Sequence, residues 1–171
     1  MKDLILTTDA QVIYLPIFPT PVPATVTVRP GKLKGTGVYK VQGKTICVDG
    51  DHTQSGYVPY CAYFTPTHSV AGMGILRIGM LNPDNLSGMW VINNKQVMVT
   101  GTTLAAWFEV TLPAQTPPPS STPDPNLFYR DGKCNFISVQ QIVKDKGTSN
   151  KHHQYPPPKQ DPAGQIGRFP R

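Results

Sequence analysis

Three side chains near the middle of this sequence have chemistry suited to a metal ion: His52, Cys61 and His68. Imidazole nitrogen and thiolate sulfur are the ligands that zinc takes in tetrahedral protein sites. A bound zinc would stabilise a small domain with little internal core, because it cross-links distant segments. The same residues have a plainer interpretation, in which Cys61 is a small buried hydrophobic residue and His68 a hydrogen-bonded loop residue. Spacing alone leaves both interpretations open.

A fourth ligand for such a site is not evident. Cys47 could serve only if its side of the strand is turned inward, and His152 or His153 only if the end of the chain folds back. Motifs typical of catalytic sites are missing as well, since the sequence has no GxSxG, P-loop, HExxH or EF-hand pattern. We therefore expect a protein that is not an enzyme.

The segments that would position these residues repeat one pattern. Residues 44–50 and 95–101 align without a gap as Lys, any, β-branched, any, Val, any, Gly. Each copy follows a pair of turn-forming residues, Gln42-Gly43 or Asn93-Asn94, which tolerate the positive φ of tight hairpins. Alternate residues of each copy are apolar, as expected for a strand with one buried face. The sequence thus predicts two similar β-hairpins within residues 35–103.

The motifs of this region resemble the PAAR family and its PAAR-like relatives. The resemblance lies in Gly-Thr-Gly…Val-Gln-Gly-Lys-Thr-Ile-Cys-Val-Asp-Gly-Asp, in Cys61…Thr-His68-Ser-Val-Ala-Gly-Met-Gly, and in Ile-Asn-Asn-Lys-Gln-Val-Met-Val-Thr-Gly. It covers residues 31–103. The sequence departs from the family where Thr-Ile-Cys and Gln-Val-Met replace the Pro-Ala-Arg or Pro-Ala-Ala words, and where residues 79–90 are inserted.

The resemblance implies a mainly β fold, a small cone of repeated β-hairpins that caps the trimeric spike of a contractile injection system. Such systems include type VI secretion systems, phage baseplates and phage-tail-like particles. The implied partner is a VgrG-like trimer that binds one copy, and the tip would contact the target membrane transiently. In that family a zinc ion lies near the apex, and Cys61 and His68 are the matching positions, with His52 a third ligand. The implied localisation is synthesis in the bacterial cytoplasm and delivery outward.

Composition divides the chain into a central domain and appendages. We expect a proline-rich extended N-terminal arm over residues 1–30, a PAAR-like domain over 31–113 and a stiff proline-rich linker over 114–125. A short β-hairpin extension over 126–144 and a flexible basic tail over 145–171 would follow.

Local patterns predict further elements within these segments. Residues 24–28 and 104–112 alternate like strands, and Asn82-Pro83 begins a turn or short helix. Asp131-Gly132 predicts the reversal of the C-terminal hairpin, because it stands between two β-prone runs.

Charge and cysteine content exclude several classes of protein. The chain has 171 residues and a net charge of +6, but its lysines and arginines are scattered, so we do not predict nucleic-acid binding. Three cysteines without a CxxC pair are typical of a reduced chain. The short apolar run at the start is not typical of a signal peptide.

An adaptor that carries cargo through its proline-rich arms is the alternative to a spike tip.

Overall fold

The computed structural model describes residues 3–145 and is mainly β, with 50% strand and 5% helix, so the predicted fold class is confirmed. A 3-10 turn at Pro83–Asn85 agrees with the turn predicted there. In chain order the elements of this range are β1 (Asp3–Leu4), β2 (Gln11–Tyr14), β3 (Ile17–Phe18), β4 (Ala24–Val26), β5 (Gly31–Lys32), β6 (Lys40–Val41), β7 (Lys44–Thr45), α1 (Asp51–Gln54), β8 (Val58–Phe64), β9 (Gly72–Ile78), β10 (Leu86–Ile92), β11 (Lys95–Met98), β12 (Leu104–Leu112), β13 (Phe128–Ile137) and β14 (Lys144–Asp145).

The largest sheet contains eight antiparallel strands in the order β3-β4-β8-β9-β12-β13-β2-β5. It curls into a half-barrel. Register shifts interrupt the pairings of β8 with β9, β9 with β12 and β12 with β13. Such bulges increase local twist, which favours curling. The curl brings the β3 edge back toward β13, where Thr20 forms an isolated bridge with Arg130.

Aromatic side chains fill the inside of this half-barrel. The ring of Phe108 lies with its centroid 6.0 Å from that of Phe18 and 5.2 Å from that of Tyr63. Tyr63 in turn contacts Tyr129 at 5.7 Å. All four side chains are fully buried. Tilted rings at these distances add to the free energy gained by burying apolar area.

A buried carboxylate holds one loop against the half-barrel. Asp124, only 2% exposed, accepts hydrogen bonds from the hydroxyls of Tyr63 and Tyr129 and from the backbone N–H of Asn126. Burial, with the nearby Asp124, raises the pKa of both tyrosines. At the other end of the loop Ala114 is fully buried. The linker predicted over residues 114–125 is therefore wrong: this segment is a folded loop anchored at both ends.

The first thirty residues are not an arm outside the domain. Strand β2 pairs with β13 and β5 inside the large sheet, and β4 pairs with β8. The proline-rich segment 16–23 contributes only the short edge strand β3, as expected where prolines cannot donate hydrogen bonds. The strand predicted at residues 104–112 is confirmed by β12, and β4 covers residues 24–26 of the strand predicted at 24–28.

The C-terminal hairpin predicted at Asp131-Gly132 is wrong. Strand β13 continues through this pair, and the positive φ of Asp131, 62°, belongs to a bulge opposite β12. Gly132 is required for packing, because a Cβ there would lie 2.2 Å from a ring carbon of Phe18. The tail predicted from residue 145 lies outside the described residues from 146 onward, including His152 and His153. Within residues 3–145 no helix has the length and apolarity needed to span a bilayer.

Candidate docking face

The two hairpins predicted from the repeat are present. In the first, Gln42 and Gly43 connect β6 to β7 with φ of 50° and 79°. In the second, Asn93 and Asn94 connect β10 to β11 with φ of 51° and 65°. Two successive positive φ values define the type I′ turn, which matches the twist of the flanking strands. The outer strand of the second hairpin, β10, overlaps the insertion at residues 79–90, whereas residues 72–78 form β9 of the half-barrel.

A third copy of the hairpin is assembled from the two ends of the described chain. In this copy β1 is the inner strand and β14 the outer strand, as β7 and β6 are in the first hairpin. Leu4 of β1 stands opposite Lys144, and the equivalent Thr45 of β7 stands opposite Lys40. In the second hairpin Gln96 takes the same position opposite Val91. The third hairpin has no connecting turn, because its strands lie far apart in the sequence.

The inner segments of the three hairpins close into a cycle of backbone hydrogen bonds, here called the hairpin ring (residues 4–9, 45–50 and 96–101). Leu6 N–H donates to Met98 C=O at 3.0 Å, Met98 N–H to Cys47 C=O at 3.0 Å, and Cys47 N–H to Leu6 C=O at 2.9 Å. A second set runs around the ring in the opposite sense, with each donor two residues after and each acceptor two residues before the equivalent position of the first set. In that set Thr8 N–H donates to Thr45 C=O at 2.8 Å, Asp49 N–H to Gln96 C=O at 2.8 Å, and Thr100 N–H to Leu4 C=O at 3.0 Å.

This pattern gives the hairpin ring approximate threefold symmetry. Three isolated bridges link neighbouring segments in equivalent register. They join Ile5 to Val99, Thr7 to Ile46, and Val48 to Val97. Alternate residues of each segment pack into two different cores. Leu6, Cys47 and Met98 pack with the half-barrel core, and apolar residues adjacent to them in the sequence pack into a second cluster between the hairpins. The second cluster consists of Ile5, Val41, Ile46, Val48, Trp90, Ile92, Val97 and Val99.

Three residues after each of the equivalent positions Leu6, Cys47 and Met98, a residue with positive φ turns the chain out of the ring. These residues are Asp9, Gly50 and Gly101, with φ of 73°, 102° and 53°. Asp9 is the copy without glycine, and its carboxylate bonds the Lys44 ammonium at 2.6 Å. That hydrogen bond and the lysine charge lower the pKa of Asp9. The aspartate at this position is one reason the sequence repeat did not reveal the third copy.

A buried polar side chain fixes each segment of the ring. Asp51 accepts hydrogen bonds from Val48 N–H and Thr36 N–H, and Asn85 donates to the carbonyls of Thr100 and Thr102. Both anchors are fully or almost fully buried. Buried polar groups are stabilising only when paired, so these bonds define where each segment lies.

Gln140 is the corresponding anchor of the third hairpin. Its amide donates to Ile5 C=O and Val143 C=O at 2.8 Å, and its carbonyl accepts from Ile142 N–H and Val143 N–H at 2.8 Å. In the first hairpin the equivalent carbonyl accepts instead from a backbone N–H. The Gln140 side-chain amide thus takes the place of the backbone N–H of Gly37, which donates to Ile46 C=O in the first hairpin.

A family model described as contractile injection system spike tip protein matches residues 1–146. The chain belongs to this family. The match contains all three segments of the hairpin ring and ends one residue after β14. A search of curated proteins found no match. Membership confirms the resemblance to spike tips, and it implies association with the injection apparatus.

In this spike tip protein the three predicted metal ligands have different surroundings. Cys61 lies in β8 within the half-barrel core, its Sγ 3.5 Å from Val58 C=O, and burial raises the pKa of its thiol. His68 lies in a loop, its Nδ1 3.0 Å from Thr67 Oγ1. Among residues 3–145 no group of three His, Cys, Asp or Glu side chains is placed to hold a metal.

His52 lies beside a cavity of about 210 Å³ next to α1. Burial lowers its pKa, and its buried Nδ1 has no hydrogen-bond partner within the described chain. Arg77 bonds Glu109 at 2.9 Å and lies 5.7 Å from the Tyr57 ring centroid. The cavity is lined by His52, Thr53, Tyr57, Arg77, Ile78 and Trp107. Its walls therefore supply aromatic rings and one cation, but no thiol.

Among residues 3–145 the surroundings of His52, Cys61 and His68 provide no set of three metal ligands, so the function proposed below does not depend on zinc. Zinc binding stays a prediction, and elemental analysis of protein purified without added metal tests it. A content well below one equivalent would contradict the prediction.

Proposed function

We propose that this spike tip protein caps a homotrimeric, VgrG-like spike as a single copy, with the hairpin ring facing the trimer. The observation that supports it is the threefold repetition of the ring in one polypeptide. A trimer ends in three equivalent strands or edges, and a single chain can contact all three alike only through a surface that repeats three times. The half-barrel has no such repeat, and it would form the leading end.

The proposed role is structural and mechanical, without a catalytic step. Hairpin edges expose backbone N–H and C=O groups that can extend the β-structure of a partner. The packed half-barrel would transmit the force of sheath contraction to a small area of the target membrane. The adaptor alternative depends on proline-rich arms, but residues 16–23 and 114–125 fold as parts of the domain. We therefore propose the capping role.

Stoichiometry tests this proposal. The protein is mixed with the purified homotrimeric spike of its injection particle, and the mass of the complex is measured by light scattering. We expect one tip chain per trimer at saturating tip concentration. Three chains per trimer, or no complex at micromolar concentrations, would contradict the proposal.

Puncture requires a separate measurement. Particles assembled with and without the tip protein are triggered to contract against dye-filled vesicles. We expect the tip to increase dye release while sheath contraction is unchanged. Equal release from both kinds of particle would contradict a role in puncture and leave the capping role standing.

A further inference from the structure

The threefold register extends from the ring to the outer strands of the hairpins. Ile5 N–H bonds Val143 C=O at 3.2 Å, and Ile46 N–H bonds Tyr39 C=O at 2.9 Å. The residue before each acceptor is therefore equivalent: Ile142 in the third hairpin and Val38 in the first. In the second hairpin Met89 has the same spacing, two residues before the paired Val91.

These equivalent positions all carry an apolar side chain that is at least partly open to solvent. The side chain of Val38 is 63% exposed and that of Ile142 is 68% exposed. Met89 is half-buried and packs against the cluster between the hairpins. Single exposed apolar residues are ordinary on protein surfaces, but repetition at symmetric positions is not explained by chance exposure.

Each hairpin also exposes a lysine, which in the first and third hairpins stands two residues after the apolar position. Lys40 and Lys144 occupy equivalent positions opposite the ring segments, and Lys95 lies on the inner strand of the second hairpin. All three are exposed, unlike Lys44, which is paired with Asp9. A partner that fits this surface would therefore present carboxylates to the three hairpins in addition to three apolar sites.

We propose that Val38, Met89 and Ile142 form a threefold apolar contact, the apolar triad, which binds three equivalent apolar sites at the end of the homotrimeric spike. Acidic side chains of the trimer would pair with Lys40, Lys95 and Lys144. Because the three hairpins are related by the approximate threefold symmetry of the ring, the three equivalent chains of a homotrimer could contact them alike. This inference rests on the proposed capping role and assigns the residues that perform it.

Charge substitution at the apolar triad tests this assignment. The affinity of the full-length protein for the purified homotrimeric spike is measured by calorimetric titration, for the wild type and for Val38→Asp and Ile142→Asp. The matched controls are Met80→Asp and Leu127→Asp, whose native side chains are 71% and 60% exposed but have no threefold counterpart. We expect each triad variant to bind at least about tenfold more weakly and each control to stay within about twofold.

The lysines are tested by their salt dependence. We expect Lys40→Glu with Lys144→Glu to weaken binding at low salt and to flatten its dependence on salt, because the pairs that salt screens are removed. Lys32→Glu with Lys133→Glu is the control, since both lysines are exposed on the half-barrel. Equal effects of the two double variants would contradict the charge pairing.

The outcomes separate this inference from the proposed function. If the wild type binds the trimer and the triad variants bind as tightly as the controls, the triad assignment is wrong and the capping role stands. If the wild type does not bind, the capping role and the triad assignment both fail. If the wild type alone dimerises and Val38→Asp abolishes this, the occupant is a second copy and the proposal is overturned. Unchanged urea unfolding of each variant confirms that the fold is intact.

Discussion

The hairpin ring and the half-barrel represent two different ways to stabilise β-structure in one small chain. The ring repeats six residues three times and depends on backbone hydrogen bonds between short segments, with a buried polar anchor for each. The half-barrel repeats nothing and depends on interlocked aromatic rings around Phe108. The comparison indicates that symmetry is confined to the surface that we propose meets a symmetric partner, while the rest of the chain is free to pack irregularly.

The largest loss of stability in the ring is expected in the third hairpin, whose strands have no connecting turn. Gln140→Ala removes the four hydrogen bonds of a buried amide and takes their acceptor from the N–H groups of Ile142 and Val143, so we expect the free energy of unfolding to fall by about 3 kcal/mol or more. Urea denaturation measures the change. Gln141→Ala is the control, because its neighbouring side chain is exposed. Similar losses for the two variants would show that the third hairpin does not depend on this anchor.

The corresponding test of the half-barrel is Gly132→Ala. The added Cβ would lie 2.2 Å from the Phe18 ring, so the aromatic core must shift. We expect a loss of about 2 kcal/mol, typical of overpacking in a filled core. The double variant Gly132→Ala with Phe18→Leu should lose less than the sum of the two single changes. Strict additivity in urea denaturation would argue against a direct clash.

The same substitution in a ring turn should have a smaller effect for a different reason. A Cβ at Gly43 would meet nothing within 4 Å, but φ there is 79°. Gly43→Ala should therefore cost about 1 kcal/mol through backbone conformation alone. Gly43→Asn is the control, because asparagine tolerates positive φ, and it should recover part of the loss. If alanine and asparagine are equivalent, the turn geometry is not what limits stability.

The smallest expected effect concerns pH and His52. Burial lowers the pKa of His52 in the folded protein, so the unfolded chain binds a proton more readily and stability falls as pH drops below about 6.5. We expect His52→Gln to be less sensitive to pH between 7 and 5 than His68→Gln, which has the same number of histidines. The midpoint of urea unfolding at several pH values measures this. Identical pH profiles would contradict it.

Much of the hairpin ring could be predicted from the sequence because its determinants are local. Gln42-Gly43 and Asn93-Asn94 specify a turn wherever they occur between alternating residues, so two hairpins and their buried faces followed from the pattern. The family resemblance rested on the same short stretches. The fold class required no more than that, since these turns and the scarcity of helix-forming runs already indicate β-structure.

Tertiary structure decided everything that depends on pairing between distant segments. The third hairpin joins residues 3–4 to 144–145, and no local pattern reveals a strand whose partner lies at the other end of the chain. Asp131-Gly132 has the composition of a turn, yet β13 continues through it as one bulged strand that pairs with β12 here and with β2 from Cys134 onward. The half-barrel likewise assigned Cys61 to its core and anchored the proline-rich loop through Asp124. Turns are determined by the conformational preferences of neighbouring residues, whereas strand pairing and burial depend on the whole folded chain.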